Sequence, residues 1–106
     1  MANQGTTAYE AYSSTTEIEL MTIGTNDSGP NRGFCFVVYS TQAGTAEIFW
    51  IDPHDGTHRS VQTKACSATT VQVIDFDFRL SRAVLKFTPD AATAGTVSAE
   101  GLAYGG

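Results

Sequence analysis

Basic residues are scarce in this chain of 106 residues. It carries six lysines and arginines against eleven aspartates and glutamates, which gives a formal net charge of −5. The basic residues form no run along the sequence: Arg32, Arg59, Lys64, Arg79, Arg82 and Lys86. Proteins that bind nucleic acid neutralise its phosphates with clustered basic side chains, so nucleic acid is not an expected partner. Anionic membrane surfaces are disfavoured for the same reason.

Long apolar segments are also missing. No stretch approaches the roughly 18 consecutive apolar residues of a transmembrane helix. Residues 1–10 have neither the basic start nor the apolar core of a secretory signal. The sequence therefore predicts no contact with a membrane and no signal peptide.

Cysteine is rare as well. Cys35 and Cys66 are too few for a dense disulfide framework. Cys35 lies inside an apolar run, and we expect both residues to be buried, reduced thiols. A single bridge between them is the alternative. A metal site that uses both cysteines is the least favoured interpretation, because no CxxC sequence or histidine cluster accompanies them.

The most informative stretch that is present predicts a β-hairpin. Residues 45–51 alternate with a period of two, which is typical of a strand. Pro53 cannot donate to a strand ladder, and Asp55-Gly56 favours a tight turn because glycine adopts positive φ without steric cost. We expect the turn at residues 52–57, a returning strand at residues 57–62, and aspartates that bond the backbone of their own turn.

Segments at about 17–23, 70–80 and 83–88 alternate in the same way, and residues 95–102 form a last strand of small residues. Residues 33–40 contain a continuous apolar run, which predicts a central strand covered on both faces. They predict an all-β fold, an antiparallel β-sandwich or jelly roll of about 7–8 strands. Residues 1–106 are expected to form a single domain, with a flexible N-terminal arm at about 1–8. In the first segment, Ile18 and Leu20 are expected to face the core. The other expected core residues are Ile48, Trp50, Ile74, Phe76, Phe78, Leu85 and Phe87.

Few side chains have the spacing of a catalytic or metal-binding site. His54 and His58 are separated by a predicted turn, so they do not share one face of a helix as zinc-binding histidines do. Asp75 and Asp77 project from one strand face, where solvated carboxylates are the simpler explanation. The sequence contains no nucleophile elbow, phosphate-binding loop or dinucleotide fingerprint. It therefore predicts no catalytic residues, no metal site, no cofactor and no enzymatic activity.

The pattern of residues 44–102 resembles that of small virion proteins of tailed phages. The strand AEIFWID is followed by the turn Asp55-Gly56, the alternating strand VQVIDFDF, the strand RAVLKFT and the small-residue strand TVSAEG. This resembles the β-sandwich or jelly-roll decoration (cement) and minor capsid proteins of phage heads. The resemblance implies a structural protein, made in the host cytoplasm and located on the virion surface. It also implies that the protein stabilises the capsid by binding the major capsid protein lattice as a homo-oligomer.

Polar, glycine-rich segments outside the predicted core are expected to make the partner contacts. These residues are Asn3, Thr6, Tyr9, Tyr12, Asn26, Asp27, Asn31 and Arg32. Two alternatives remain, a subunit of a phage tail or fibre and a carbohydrate-binding β-sandwich module; an enzyme of unrecognised type is the least favoured. The carbohydrate alternative depends on an aromatic platform drawn from Tyr9, Tyr12, Tyr39, Trp50 and Tyr104, although Trp50 shares its predicted face with core residues.

Overall fold

The computed structural model describes residues 4–24, 33–76 and 82–104, without the side chains of Gln4, Phe76 and Tyr104. Eight strands account for most of this part of the chain. They are β1 (Gln4–Tyr12), β2 (Ile18–Ile23), β3 (Gly33–Ser40), β4 (Gly44–Ile51), β5 (His58–Cys66), β6 (Gln72–Phe76), β7 (Ala83–Pro89) and β8 (Gly95–Tyr104). No helix that is long and apolar enough to cross a membrane occurs in the described ranges.

The strands form two antiparallel sheets of four. Sheet A has the order β1-β8-β3-β6, and sheet B has the order β2-β7-β4-β5. The pairing is nested, because β1 pairs with β8, β2 with β7, β3 with β6 and β4 with β5. This is the connectivity of a jelly roll, in which one long hairpin is rolled into two facing sheets. The predicted all-β sandwich is confirmed, and its topology is the jelly roll.

The predicted hairpin forms between β4 and β5. The Asp52 amide donates to the Thr57 carbonyl at 2.9 Å, and the Gly56 amide donates to the Asp52 carbonyl at 2.8 Å. Gly56 has a φ of 78°, which is the positive value that the Asp-Gly pair predicts. The turn at residues 52–57 is confirmed. The returning strand is longer than predicted, because it runs to Cys66 at the edge of sheet B.

The core lies between the sheets and takes large side chains from both. Its largest fully buried residues include Phe34 and Phe36 of sheet A and Ile48, Leu85 and Phe87 of sheet B. Burial of Ile48, Ile74, Leu85 and Phe87 was predicted and is confirmed. Phe78 and the side chain of Phe76 lie outside the described residues.

An irregularity in β2 changes which of its residues face the core. The register of β2 shifts between Glu19 and Met21, so Met21 and Ile23 are buried while Ile18 and Leu20 are only half-buried. In β2, the extra residue at this bulge breaks the strict alternation on which such predictions depend. β4 pairs with β7 without a shift, and Phe49, which alternates with the inward Ile48, is 9% exposed because Lys86 and His58 lie against its ring on the other side of sheet B. Trp50, near the end of β4, is half-buried, so the prediction of a buried Trp50 is wrong.

The predicted flexible arm is wrong for the residues that can be described. Residues 4–8 belong to β1, which pairs with β8 without interruption from Gln4 opposite Ala103 to Tyr12 opposite Gly95. Residues 1–3 lie outside the described ranges. The N-terminal segment is therefore an edge strand of sheet A, held by backbone hydrogen bonds to its neighbour.

Candidate functional site

One broad surface of the sandwich is formed by the side of sheet A that faces away from sheet B. Phe34, Phe36 and Val38 of β3 point into the core, so the residues that alternate with them point outward. The strand registers align the outward residues into rows across the sheet. The rows are Gly5–Leu102–Cys35–Asp75, Thr7–Glu100–Val37–Val73 and Tyr9–Ser98–Tyr39. We refer to this surface as the outer face of sheet A.

Exposed apolar side chains are concentrated on this face. Tyr9, Tyr39 and Val73 belong to its rows and are 67%, 37% and 54% exposed. Val71 directly precedes β6, two residues before Val73, and is 59% exposed. Among the described residues, the remaining large apolar side chain with comparable exposure is Val61 of β5, in the other sheet. Contiguous exposed apolar surface is characteristic of interaction sites, whereas single exposed residues are normal.

The face also contains a shallow depression. A hollow of about 640 Å³ lies over the first two rows. A second hollow, of about 330 Å³, adjoins it on the side of Tyr39 and Ser98, and both are lined by Thr7, Val37 and Glu100. Together they form an open groove that crosses the three strands β1, β8 and β3.

The charged residues in the described rows of the outer face are all acidic. Asp75 and Glu100 are exposed and acidic, and no described residue of the rows is basic. An anionic ligand would therefore meet repulsion and no ion-pair partner on this surface. The groove is suited to neutral groups, and its acidic margin is suited to basic ones.

The structure separates the residues predicted to contact a partner. Thr6 and Tyr9 are exposed on β1. Tyr12 is buried: its hydroxyl lies 2.6 Å from the Ser40 Oγ, and its ring centroid lies 5.9 Å from that of Phe87. The prediction that Tyr12 contacts a partner is therefore wrong. The other predicted contact residues lie outside the described ranges: Asn3, Asn26, Asp27, Asn31 and Arg32.

Sequence reasoning missed most of the residues that form the exposed face. The apolar run in β3 was interpreted as covered on both sides, but Tyr39 is exposed and Val37 is half-buried. Val73 is the exception: it alternates with the buried Ile74 and lies on the same side as Asp75, as the period of two predicts. Residues of β1, β8 and β6 come together only through long-range pairing, which no local pattern reports.

The polar side chains of the turn between β4 and β5 form hydrogen bonds within the hairpin. Asp52 and Asp55 accept hydrogen bonds from the backbone amides of His54 and Thr57, each at 2.9 Å, as the sequence predicts. The hydrogen bond from His54 and the contact with Arg59 lower the pKa of Asp52, and hydrogen bonds from Thr57 lower that of Asp55. Arg59 Nε lies 2.9 Å from Asp52 Oδ2. These carboxylates hold the turn together.

The two cysteines lie in different environments. No disulfide joins them. Cys66 is buried, and burial raises its pKa, which disfavours the reactive thiolate. Cys35 lies in the floor of the outer groove and is half-buried, so the prediction that both thiols are buried is wrong for Cys35. In the described ranges, no three histidine, cysteine, aspartate or glutamate residues are grouped so as to hold a metal ion.

Comparison with known proteins relates the chain to others through its fold. No family model matches it, and no curated protein sequence matches it significantly. The crystal structure of PirA superposes with a TM-score of 0.69 at 9% identity, covering 88% of this chain and 90% of PirA. The SPBc2 prophage-derived protein YomS superposes with a TM-score of 0.55 at 12% identity, covering 97% and 95% of the two chains.

A carbohydrate-binding module shares the fold as well. A family 29 module complexed with cellulohexaose superposes with a TM-score of 0.51 at 16% identity, covering 97% of this chain and 78% of the module. At such identities the similarities show a common architecture alone. Since jelly rolls serve many unrelated functions, function has to be argued from the residues of the site.

Proposed function

We propose that this chain is a non-enzymatic structural protein of a phage particle, which binds the major capsid protein lattice through the outer face of sheet A. The concentration of exposed apolar side chains on that one face is the observation that carries the proposal. The strand pattern of residues 44–102 resembles phage decoration proteins, and the shared fold with a prophage-derived protein supports the same context. The contact surface differs from the arm and loops predicted from the sequence.

An apolar strip at the β3–β6 side of the outer face is the part best suited to a protein surface. Val37 and Val73 are registered neighbours, and Tyr39 and Val71 continue the strip beyond them. Full burial of a valine-sized or larger side chain contributes about 1.5–3 kcal/mol, and these residues are already partly covered. Each subunit would therefore bind modestly. On a lattice, however, linked or neighbouring subunits rebind at high effective concentration, which strengthens the overall attachment.

Substitution of Val73 tests this contact. We expect Val73→Asp to weaken binding to undecorated heads by at least about tenfold, or ~1.4 kcal/mol, because a carboxylate would be buried without a partner. Co-sedimentation of the purified protein with heads measures the binding. The matched control is Val61→Asp, which makes the same change on an exposed valine of sheet B. Circular dichroism checks that both variants retain the fold. Equal binding by Val73→Asp and the wild type would show that the outer face of sheet A does not contact the capsid.

A carbohydrate-binding role is the second candidate, because two exposed tyrosines lie on one row of the same face. Tyr9 and Tyr39 both register with Ser98, and one strand separates them, which puts their backbones about 10 Å apart. Aromatic rings on an uncharged row, beside threonine and serine hydroxyls, provide stacking and hydrogen bonding for a neutral sugar chain. The shared fold with the module bound to cellulohexaose is compatible with this role.

Titration with cellohexaose separates the two candidates. The capsid proposal predicts no saturable heat by calorimetry and full binding to heads in the presence of the sugar. The carbohydrate candidate predicts saturable binding that is lost in Tyr39→Ala and retained in Val61→Ala, which changes an exposed residue of sheet B. A protein that binds the sugar but not the heads would overturn the capsid proposal.

A further inference from the structure

A jelly roll leaves four sheet edges, and each edge exposes backbone groups that can pair with another strand. Here the edge strands are β1 and β6 in sheet A and β2 and β5 in sheet B. Natural proteins protect such edges by shortening them, by bulges, by prolines and by charged side chains, above all lysine. The degree of protection therefore indicates which edges must stay unpaired and which edge is available.

Three of the four edges carry such protection. β2 is six residues long, its register is interrupted after Glu19, and Glu17 before it lies 3.7 Å from Lys86 of β7. β5 contains a register shift opposite Ile48 and carries Arg59 and Lys64. β6 is described over Gln72–Phe76, and these residues include the exposed Asp75. Over the described residues, none of these edges offers a long, regular and uncharged ladder.

The β1 edge is different. It runs for nine residues with no break in its register against β8. Residues 4–12 include no proline, lysine or arginine, and Glu10 is their one charged residue. Gly5, Thr6 and Thr7 are all exposed. Among the edges as far as the structure describes them, β1 has the least protection against strand addition.

We infer that β1 pairs with β1 of a second copy of this chain, antiparallel about a two-fold axis, to join the two A sheets into one. A two-fold contact requires a self-complementary strand. With Thr7 on the axis, the exposed Tyr9 lies opposite Gly5 of the second copy, where no side chain competes for the space. Cross-strand pairing of an aromatic residue with glycine is a favourable arrangement in sheets.

Charge is also compatible with this register. Glu10 lies opposite Gln4 of the second copy, and the two Glu10 residues are six residues apart along the ladder, or about 20 Å. That separation exceeds the Debye length of about 8 Å at physiological salt, so their repulsion is screened. Outward residues pair with outward residues, and the two outer faces of sheet A become one continuous surface. The dimer is a property of the free protein and does not depend on the capsid proposal.

Light scattering coupled to size exclusion tests the oligomeric state. We expect the wild-type protein to elute with twice the mass of the chain, and Thr6→Lys to elute with the mass of one chain, because a lysine on the edge opposes strand addition. Thr63→Lys is the matched control: it adds the same charge at an exposed threonine of β5, another edge strand, and should leave the dimer intact. A monomeric wild type, or a Thr6→Lys variant that remains dimeric, would overturn the inference.

Cross-linking tests the register. Thr7→Cys should form a disulfide-linked dimer in oxidised glutathione, because residues opposite each other on antiparallel strands have Cα atoms about 4.5–5.5 Å apart, within disulfide reach. Thr63→Cys, which retains the same native cysteines, should not. Equal cross-linking of the two variants in non-reducing gels would show a dimer through another surface. Because neither experiment uses heads, failure here is distinct from failure of the proposed function.

Discussion

Phe87→Ala is expected to lower the free energy of unfolding by about 3–5 kcal/mol, which approaches the whole stability of a domain of this size. Phe87 is 0% exposed at the centre of β7, and its ring packs against that of Tyr12 across the core. Both neighbouring strands of sheet B pair with β7, so the backbone has little freedom to collapse into the cavity. The expected loss of stability therefore includes both the lost burial of the ring and the cavity that the ring leaves behind.

Urea denaturation and thermal unfolding measure this change. The unfolding midpoint should fall by more than about 10 °C. Val61→Ala is the control, since Val61 is exposed on an edge strand and its truncation should alter stability by less than about 0.5 kcal/mol. If Phe87→Ala melted within a couple of degrees of the wild type, the assignment of the core to this pair of sheets would be wrong.

Gly44→Ala is expected to be destabilising although it adds a single methyl group. A Cβ on Gly44 would lie 2.4 Å from the Phe87 Cζ and 2.6 Å from the Thr88 carbonyl oxygen. The carbonyl belongs to the backbone of β7, which pairs with β4 at this point, so it cannot move without disturbing the ladder. Overpacking of this kind costs about 1–3 kcal/mol.

Gly5→Ala provides the comparison for Gly44→Ala. Its nearest contact would be the Gly101 carbonyl oxygen at 3.6 Å, an ordinary van der Waals distance. Replacing glycine by alanine in a strand that can accommodate it stabilises by about 0.5–1 kcal/mol, so the two variants should change stability in opposite directions. Both are measured by denaturant unfolding at one protein concentration, low enough to dissociate the inferred dimer, because Gly5 lies in its contact. Equal stability of the two variants would contradict the close packing of β4 on β7.

Local sequence patterns predicted the strands and turns of the fold. The wrong predictions concern features that depend on pairing between distant residues. The Asp55-Gly56 turn was predicted correctly because its geometry depends on the residues of the turn itself. The inward residues of β2 were predicted incorrectly. Apolar residues occupy positions 18, 20, 21 and 23, and the sequence alone does not show which phase of the alternation is buried. A register shift decides that, and it depends on pairing with β7. The nested strand order is likewise set by long-range contacts.

The candidate site was less predictable than the fold. Tyr9 and Tyr12 are three residues apart on one strand, so the period of two places them on opposite sides. The sequence could have shown that one of them is exposed and the other buried, but only the pairing of β1 with β8 and the hydrogen bond to Ser40 show that Tyr12 is the buried one. Val73 is exposed because it alternates with the buried Ile74 and so points away from the core, which the period of two predicts.

Electron cryomicroscopy of undecorated phage heads incubated with the purified protein tests the central claim most directly. The proposed function predicts ordered density for the protein at repeated positions on the capsid surface. In that density, the outer face of sheet A, with Tyr39, Val71 and Val73, should lie against the major capsid protein. Heads without added density, or density in which this face points to solvent, would contradict the account.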